Sequence, residues 1–464
     1  MHFVLIFPPS SGYKLIAKRS LEEDSYVPPL GLLYLGRVLL DNGHTVEVID
    51  YTAEQFNESK LKNKLSTADA VGMTVLSSHY ELPQELAHII KECNPEIPLF
   101  IGGPHCSVIR EKALIEFPAD VSVMGDAELR ITLIAKALQG KIKTSSIPGI
   151  YYKEGKKIRK TKPLKSTINL DTIPFPARHL VDKYEYGYFM GTKLSLGKTA
   201  SIITTRGCPF GCRFCGIRNI SPWYQERSVE NVQEEIQQLA EEEYRTLQIM
   251  DDNFLVNKKR AEKIMDFIIK NEYNFDIWIG GARVDSAERG LYEKMRDAGV
   301  IFMNFGLESG NQDVLDYYNK KITPEKIRKA VDLSIKMGFF TTGSFILGAP
   351  IETKKHLKTT MKFAKKLPLD FARFFPLGYF CGSPLWKEMV KKGKIQPDEY
   401  VVESDSRRGL GIFTKEELNN ICQKAHNNIF YDPRFLLRQV YRAFYRNNFR
   451  FLNLGMKVFA GIIK

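Results

Sequence analysis

The 464-residue sequence contains no apolar run of about 18 residues, the length that a membrane-spanning helix needs. No signal peptide precedes the strand-like segment 2–7, and four of the seven cysteines lack the spacing of a disulfide framework. These four are Cys93, Cys106, Cys381 and Cys422. The absences predict a protein of the reducing cytoplasm, and the length predicts two or three domains.

Acidic residues are in the minority, with 54 Asp and Glu against 67 Lys and Arg, so the formal net charge is +13. This excess indicates an anionic partner, such as nucleic acid, an acidic lipid surface or a phosphorylated substrate. A lysine-rich solvated surface would give the same total. Charge alone therefore leaves the partner open.

Residues 1–145 alternate short apolar runs with amphipathic stretches, which is typical of a flavodoxin-like (Rossmann-like) doubly wound sheet. Strands are predicted near 3–7, 45–49, 70–75, 99–101 and 121–124, and helices near 31–42, 82–92 and 127–138. Ligands of such folds bind at the carboxyl ends of the strands, where the loops 8–10, 76–79, 102–105 and 125–128 begin. None of these loops reads G-x-G-x-x-G, which argues against a nicotinamide or flavin dinucleotide.

Three cysteines lie close together in a loop rich in glycine and proline. Cys208, Cys212 and Cys215 have the spacing C-x3-C-x2-C. They supply three thiolates, one fewer than the full ligand set of a cubane 4Fe-4S cluster, so one iron would stay open for a substrate or cofactor. A structural zinc site is the alternative, but zinc prefers four ligands, usually in two C-x2-C pairs, and no second pair is present.

The stretch 205–216 resembles the radical S-adenosylmethionine (SAM) superfamily, whose signature is this spacing with an aromatic residue before the third cysteine, here Phe214. The resemblance implies that the open iron chelates the amino and carboxylate groups of SAM and passes one electron to its sulfonium. A 5'-deoxyadenosyl radical results. The resemblance also implies an electron donor such as flavodoxin or ferredoxin.

From residue 201 onward, six strands alternate with five helical patterns, which predicts a partial (βα)6 TIM-type barrel. Polar clusters follow four successive strands, at 251–254, 283–285, 306–310 and 348–352. Carboxylates suit the amino group and ribose hydroxyls of SAM, Arg283 suits a carboxylate, and glycines allow adenine to pass closely. Ordinary roles stay open, because Asp252 can cap the next helix and 348–350 can form a simple turn.

The radical SAM resemblance implies contacts residue by residue. It assigns the amino group of SAM to Asp251 and Asp252, and ribose or carboxylate contacts to Glu308 and Ser309. It places Ile346 and Gly348 against adenine.

Segments 26–36, 43–50 and 102–105 resemble the cobalamin-binding domain that precedes many radical SAM cores. The D-x-H-x-x-G motif, which supplies a histidine to cobalt, is absent. The resemblance therefore implies cobalamin bound with its own base detached and without a histidine from that motif, although a cobalt role for His79 or His105 stays open. The residues predicted to hold the nucleotide tail are Ser77, Ser78, Gly102 and Gly103.

The predicted domains are a cobalamin-binding domain at 1–145, a linker at 146–196, a radical SAM core at 197–415 and a basic helical region at 416–464. In the last region five arginines, at 434, 438, 442, 446 and 450, recur every fourth residue beside an aromatic-rich side. This pattern fits a helix in an anionic membrane interface, and equally a helix packed on the barrel with a solvated arginine face. Nucleic acid is disfavoured, because no recognised module accompanies the arginines.

The whole arrangement resembles cobalamin-dependent radical SAM enzymes, most of them methyltransferases (class B). The resemblance implies methylation of an unactivated carbon by way of methylcobalamin and the 5'-deoxyadenosyl radical. A cyclase or rearrangement enzyme without net methyl transfer is the alternative, and a cobalamin sensor is disfavoured by the cysteine loop. Charge and tail favour a small-molecule or lipid substrate such as an isoprenoid, and a location in the cytoplasm or at the inner face of the membrane.

Overall fold

The computed structural model describes residues 1–9, 27–163 and 168–459. The chain forms two compact units, one of Met1–Gly191 with Asn219–Ser221 and one of Thr192–Arg218 with Pro222–Lys464. Residue 10 of the loop 8–10, residue 26 of the segment 26–36, and residues 460–464 of the basic region lie outside the described residues.

The first unit is built on a seven-stranded sheet. Its strands are β1 (His2–Phe7), β2 (Thr45–Asp50), β3 (Ala70–Thr74), β4 (Leu99–Gly102), β5 (Val121–Val123), β6 (Ile150–Glu154) and β7 (Lys157–Lys160). Its helices are α1 (Leu30–Asp41), α2 (Glu58–Leu65), α3 (Glu81–Cys93), α4 (Pro104–Ile109), α5 (Lys112–Glu116) and α6 (Glu128–Leu138). The strand order is β2-β1-β3-β4-β5-β6-β7, with β1 to β5 parallel. The predicted doubly wound sheet is confirmed.

The apolar runs explain this sheet. Phe3, Val4, Leu5 and Ile6 of β1 are fully buried, as expected for a parallel strand covered on both faces. The core around them takes its other large side chains from α1, α6 and the neighbouring strands. Burial is thus concentrated in the central strands. The loops at the carboxyl ends of these strands are where ligands of such sheets bind.

The structure differs from the predicted linker at 146–196, because β6 and β7 extend the first sheet in antiparallel fashion. Further along, the Tyr186 hydroxyl donates a hydrogen bond to buried Asp50 Oδ2 at 2.7 Å. The exposed lysines of the hairpin, such as Lys157 and Lys160, gave it the composition of a linker. Their exposure is ordinary for an edge strand, which charged side chains protect from further pairing.

The second unit contains a six-stranded sheet that is entirely parallel. Its strands are β10 (Lys198–Ile202), β13 (Tyr244–Ile249), β14 (Asp276–Ala282), β15 (Val300–Glu308), β16 (Phe340–Leu347) and β17 (Phe371–Pro376). They lie side by side in chain order. Within the described residues β10 and β17 each pair on one side only. The predicted open (βα)6 barrel is confirmed, with its loops after each strand on one edge.

Helices follow the barrel strands. They are α8 (Val229–Glu241), α9 (Lys258–Lys270), α10 (Arg289–Asp297), α11 (Gln312–Tyr317), α12 (Pro324–Lys336) and α13 (Lys354–Lys366). The short elements of the chain are β8 (Tyr188–Phe189), β9 (Thr192–Lys193), β11 (Thr205–Arg206), α7 (Ile217–Ile220) and β12 (Gln225–Glu226). Ser228, Asn257 and Thr323 cap α8, α9 and α12 with their side chains, so these helix starts were readable as polar residues before apolar periodicity.

The chain after the barrel forms β18 (Gly378–Phe380), α14 (Pro384–Lys391), β19 (Val401–Glu403), α15 (Lys415–Phe430), α16 (Pro433–Tyr445) and α17 (Arg450–Phe459). The C-terminal helices predicted at 416–464 are therefore present as far as residue 459. None of the helices in the described ranges is both long and apolar enough to cross a bilayer.

Four of the five arginines of this stripe bind inward, and only Arg434 at the start of α16 is largely exposed. Arg442 and Arg446 form ion pairs with buried Asp370, each at 2.8 Å, and Arg450 contacts Asp276 at 2.7 Å. Arg438 donates to the carbonyl of Leu369 at 3.0 Å. Both the predicted solvated arginine face and the predicted membrane-facing arginines are wrong for these four residues. Carboxylates and backbone carbonyls of the barrel attract the guanidinium groups inward.

Candidate functional site

The cysteine loop follows the first barrel strand and begins directly after β11. Gly207 has φ of +79°, a conformation that favours glycine, and its amide donates to Asp252 Oδ2 at 3.1 Å. The Cys215 amide donates to the Cys212 carbonyl at 3.1 Å, which closes a tight turn between two thiols. All three cysteines are free and partly exposed. The loop thus presents reduced thiols at the mouth of the barrel.

The donor set fits a cluster better than a single ion. Among residues 1–9, 27–163 and 168–459, no three His, Cys, Asp or Glu side chains are arranged to hold one metal ion. In a cubane each thiolate binds a different iron, so the three sulfurs need not converge on one point. Burial raises the pKa of the Cys208 and Cys215 thiols, so binding of iron at neutral pH would release protons from them.

Asp251 supports the start of this loop. Its carboxylate is buried and accepts hydrogen bonds from the Thr204 amide at 2.6 Å, the Thr204 hydroxyl at 2.5 Å and the Thr205 hydroxyl at 2.9 Å. Both oxygens are therefore engaged within the protein. Asp252, the next residue, is exposed and keeps one oxygen beyond its bond from Gly207.

Two cations, Arg283 and Lys320, lie beside Cys212. Arg283 Nη1 is 3.9 Å from Cys212 Sγ, and the guanidinium stacks on the Phe210 ring at 3.8 Å. Arg283 also binds Asp285 at 2.9 Å and donates to the Lys320 carbonyl at 2.7 Å. The arginine predicted for a SAM carboxylate is thus buried, oriented and in contact with the cysteine loop.

Glu308 ends β15 and pairs with Lys320, whose Nζ is 2.6 Å from Oε1. Both side chains are buried, and Glu308 has φ of +62°, which is unfavourable for a residue with a side chain. Burial alone would lower the pKa of Lys320, but the carboxylate of Glu308 and the nearby Cys212 outweigh it and raise that pKa. A Cβ at Gly306 would meet Glu308 Oε1 at 2.5 Å, so a glycine is needed beside this pair.

Several residues that hold the cysteine loop were missed from the sequence. Asn319 donates to the Gly211 carbonyl at 2.8 Å, and the Arg213 amide donates to the Tyr318 carbonyl at 2.9 Å. The Tyr318 ring contacts Phe214 edge to face at 5.3 Å. The signal that could have found them is the polar stretch 318–321, which directly follows the short helix α11 after the barrel strand β15.

Three further residues were predicted to contact SAM, namely Ser309, Ile346 and Gly348. Ser309 is fully buried and bonds to Thr360 at 3.1 Å, so it joins the loop to the neighbouring helix α13. Ile346 is half-buried and packs with Phe214 against one apolar cluster. Gly348 has φ of +96°, and a Cβ there would meet Leu418 at 2.6 Å, so the turn after β16 requires glycine. The loops that follow five barrel strands therefore meet in one network. These strands are β10, β13, β14, β15 and β16.

Glu352 closes the last of these loops. Its buried Oε2 accepts from the Gly348 amide at 2.6 Å and the Ala349 amide at 2.8 Å. Oε1 has no hydrogen-bond partner among the described residues. Burial raises the pKa of Glu352 from 4.5 to about 7, against the effect of the two amides.

We expect this carboxyl group to make the second unit less stable as the pH rises from about 4.5 to about 7, because the folded state then holds a proton that the unfolded chain has lost. The full effect is on the order of 3 kcal/mol. In Glu352→Gln this part of the pH dependence should disappear. Denaturant unfolding at pH 5 and pH 8 measures it, and an unchanged pH dependence in the variant would contradict the assignment.

In the first unit, Ser77 and Ser78 follow β3, Gly102 ends β4 and Gly103 follows it. Ser78 is exposed, and Ser77 and both glycines are partly exposed. Gly103 has φ of +98°, and a Cβ there would lie 2.9 Å from Thr74 Oγ1. These small residues at neighbouring strand ends fit a bulky ligand that enters between the loops.

His105 is fully buried beside these loops. Its Nδ1 lies 3.2 Å from Ser77 Oγ, and its ring stacks on Tyr80 at 5.0 Å. Burial lowers the pKa of His105 to about 4, so the ring is neutral at physiological pH. The buried imidazole is thus held between the Ser77 hydroxyl and the Tyr80 ring. His79 is exposed in the turn that starts at Ser77.

Two family models match the chain. Residues 202–364 match the Radical SAM superfamily, and residues 21–135 match the B12 binding domain. The first match runs from the end of β10 into α13 and includes the cysteine loop, and the second includes the strands β2 to β5 of the first sheet.

Curated relatives and solved structures agree with these matches. The chain is 31% identical to an uncharacterised methyltransferase of Pyrococcus horikoshii over 95% of each chain. It is 28% identical to the anaerobic magnesium-protoporphyrin IX monomethyl ester cyclase of Rubrivivax gelatinosus, covering 79% of this chain and 67% of the cyclase. It is 24% identical to the hopanoid C-3 methylase of Methylococcus capsulatus, covering 73% and 64%. The cobalamin-dependent SAM radical enzyme OxsB has the same fold, with a TM-score of 0.72 at 17% identity, over 98% of this chain and 72% of that one.

Proposed function

The chain belongs to the cobalamin-dependent radical SAM methyltransferase family, and we propose that it methylates an unactivated carbon of a hydrophobic small molecule. The observation that carries this proposal is the network around the cysteine loop. Loops from five successive strands meet there, with three partly exposed thiols and two oriented cations. A unit with the cobalamin-binding fold accompanies this site in the same chain.

In this proposal Cys208, Cys212 and Cys215 hold a 4Fe-4S cluster, and the first sheet holds cobalamin at Ser77, Ser78, Gly102 and Gly103. When bound, the cluster supplies an electron to SAM and cobalamin carries the methyl group. The protein's own residues bind and orient these groups and exclude water from them. The four scattered cysteines offer no second cluster, so the electron comes from a separate donor such as a flavodoxin or ferredoxin.

The SAM contacts follow from which polar atoms are free to make them. Asp252 is exposed beside the loop, so we assign it the amino group of SAM, whereas Asp251 positions Thr204 and Thr205. Arg283 and the Glu308–Lys320 pair contribute charge for the carboxylate and ribose. Because the pair is already formed, little reorganisation is needed when SAM binds.

The substrate that we propose is a lipid, such as an isoprenoid. The net charge of +13 and the similarity to a hopanoid methylase support this class. Lipid analysis of a strain that lacks the gene tests it, and we expect one methylated species to disappear. Wild-type protein should restore it and the Cys212→Ala variant should not. If every lipid is retained and a polar metabolite loses its methyl group, the substrate class is wrong.

A cyclase without net methyl transfer is the second candidate. The similarity to the Rubrivivax gelatinosus cyclase favours it, over a smaller share of the chain than the methyltransferase match. The two reactions differ in products, because only methyl transfer converts SAM to S-adenosylhomocysteine in proportion to product. The measured ratio of S-adenosylhomocysteine to product therefore separates the two candidate reactions.

We expect cobalamin to bind with its own base detached and without a protein histidine on cobalt. His105 is fully buried and bonded to Ser77, which keeps it from a ligand position. Electron paramagnetic resonance of the Co(II) form should show no nitrogen superhyperfine splitting. His79→Ala, at the exposed position, and His105→Ala, at the buried one, should both leave the spectrum unchanged. Splitting that appears in the wild type and vanishes in either variant would contradict this prediction.

A further inference from the structure

Segments 317–322 and 383–394 of the second unit are both hydrogen-bonded to the cysteine loop. The Arg213 amide donates to the Tyr318 carbonyl at 2.9 Å, and the Leu385 amide, in the first turn of α14, donates to the Arg213 carbonyl at 3.0 Å. Arg213 directly follows the second of the three cysteines. The two segments therefore adjoin the thiols that would hold the cluster. Together with the cysteine loop they form one surface, which we call the loop face.

The loop face is basic. Its two segments contain six lysines and one acidic residue, Glu388, which pairs with both Arg213 and Lys392. Five of the lysines are exposed, namely Lys321, Lys387, Lys391, Lys392 and Lys394. Lys321 and Lys391 have no carboxylate partner in the described part of the chain. Asp316 and Asp398, which flank the segments in the sequence, are too few to cancel the cations, so the face carries an excess of positive charge.

The proposed function requires an electron from a separate protein. Electron transfer slows steeply with distance, so the donor has to reach the part of the surface that lies nearest the three cysteines. All three are partly exposed, and the loop face adjoins them. Positive charge at this place is complementary to an acidic carrier. Within the two described segments no large apolar side chain is exposed, so the face has little to insert into a bilayer.

We propose that the loop face is the docking surface for an acidic one-electron carrier protein, such as a reduced flavodoxin, which rests on the cluster assigned under the proposed function. In each productive encounter the carrier is oxidised by one electron and the cluster is reduced by one. Interfaces between redox partners are small, and opposite charge accelerates their formation. Binding should therefore be weak, and it should weaken further as salt screens the charges.

The first measurement is binding, which does not depend on turnover. The full chain is titrated with an acidic bacterial flavodoxin by isothermal titration calorimetry at low ionic strength, where charges are least screened. We expect the wild type to bind, and the double variant Lys387→Glu, Lys391→Glu to bind about tenfold more weakly or worse. The matched control is Lys358→Glu with Lys362→Glu, which makes the same charge change at the same spacing on exposed positions of α13. The control should bind like the wild type.

The second measurement separates docking from the reaction and from folding. With reduced flavodoxin as the electron source, the double variant should form 5'-deoxyadenosine about tenfold more slowly than the wild type. With dithionite, a small reductant that needs no docking surface, the two should be equal. If the wild type forms none with dithionite, the proposed function fails, and the binding measurement still decides the docking surface.

Three results would overturn the docking surface. The first is no flavodoxin binding by the wild type at low salt, or binding that the double variant retains. The second is an equal loss of 5'-deoxyadenosine with both reductants. The third is adsorption to anionic vesicles that the double variant loses while flavodoxin binding is unchanged, which would assign the loop face to a lipid surface instead.

Discussion

Replacing Cys212 with alanine is expected to reduce cluster iron and SAM cleavage to background while the chain stays folded. The thiol is partly exposed on a loop, so its loss removes a cluster ligand without opening a cavity in the core. Cys208→Ala and Cys215→Ala should behave in the same way. Iron content and 5'-deoxyadenosine after anaerobic reconstitution measure the effect.

Cys93→Ala provides the matched control, because Cys93 is a free, partly exposed cysteine of the first unit. It should keep wild-type iron and SAM cleavage. A Cys212→Ala variant that still produced 5'-deoxyadenosine would contradict the cluster assignment.

Asp370→Asn is expected to lower the free energy of unfolding of the second unit by about 3 kcal/mol or more, because it removes the charge that two buried arginines share. Burial opposes ionisation of Asp370, but Arg446 and Arg442 outweigh it and hold its pKa below the usual value. The stabilisation is therefore complete near neutral pH and is lost only as the pH falls below the ordinary aspartate range. Denaturant unfolding followed by tryptophan fluorescence reports on this unit, which contains Trp223, Trp278 and Trp386.

The control is Asp266→Asn, in an exposed pair with Lys294 at 2.9 Å. Exposed pairs of this kind contribute less than about 1 kcal/mol. Equal losses in the two variants would show that Asp370 does not anchor α16.

The fold was predictable where one physical signal dominated. Parallel strands buried on both faces appear as continuous apolar runs, so β1 and β3 were found within a few residues of their bounds. The hairpin β6–β7 was missed because an edge strand exposes alternate lysines, and its composition then resembles a loop.

The candidate site was predictable in its chemistry and less so in its roles. Residues at strand ends were placed at the mouth because the fold brings such ends together. Thr204 and Thr205 bind the carboxylate of Asp251, which leaves Asp252 to contact a ligand. No sequence spacing connects these threonines to the two aspartates. Lys320 comes from a loop 12 residues after Glu308 and was therefore not foreseen.

The arginine stripe shows why periodicity alone does not give the orientation of a helix. The spacing of Arg438, Arg442 and Arg446 establishes one face, but only the position of Asp370 and the strand-end carbonyls decides that this face is buried. Because the arginine face is buried, the aromatic face on the other side of α16 is exposed.

The most direct test of the proposed reaction uses the reconstituted protein, a one-electron reductant and SAM that carries a deuterated methyl group, incubated anaerobically with a lipid extract. The account predicts a lipid product that contains the labelled methyl group, with S-adenosylhomocysteine and 5'-deoxyadenosine formed in equal amounts. An unlabelled product formed with 5'-deoxyadenosine and without S-adenosylhomocysteine would contradict methyl transfer.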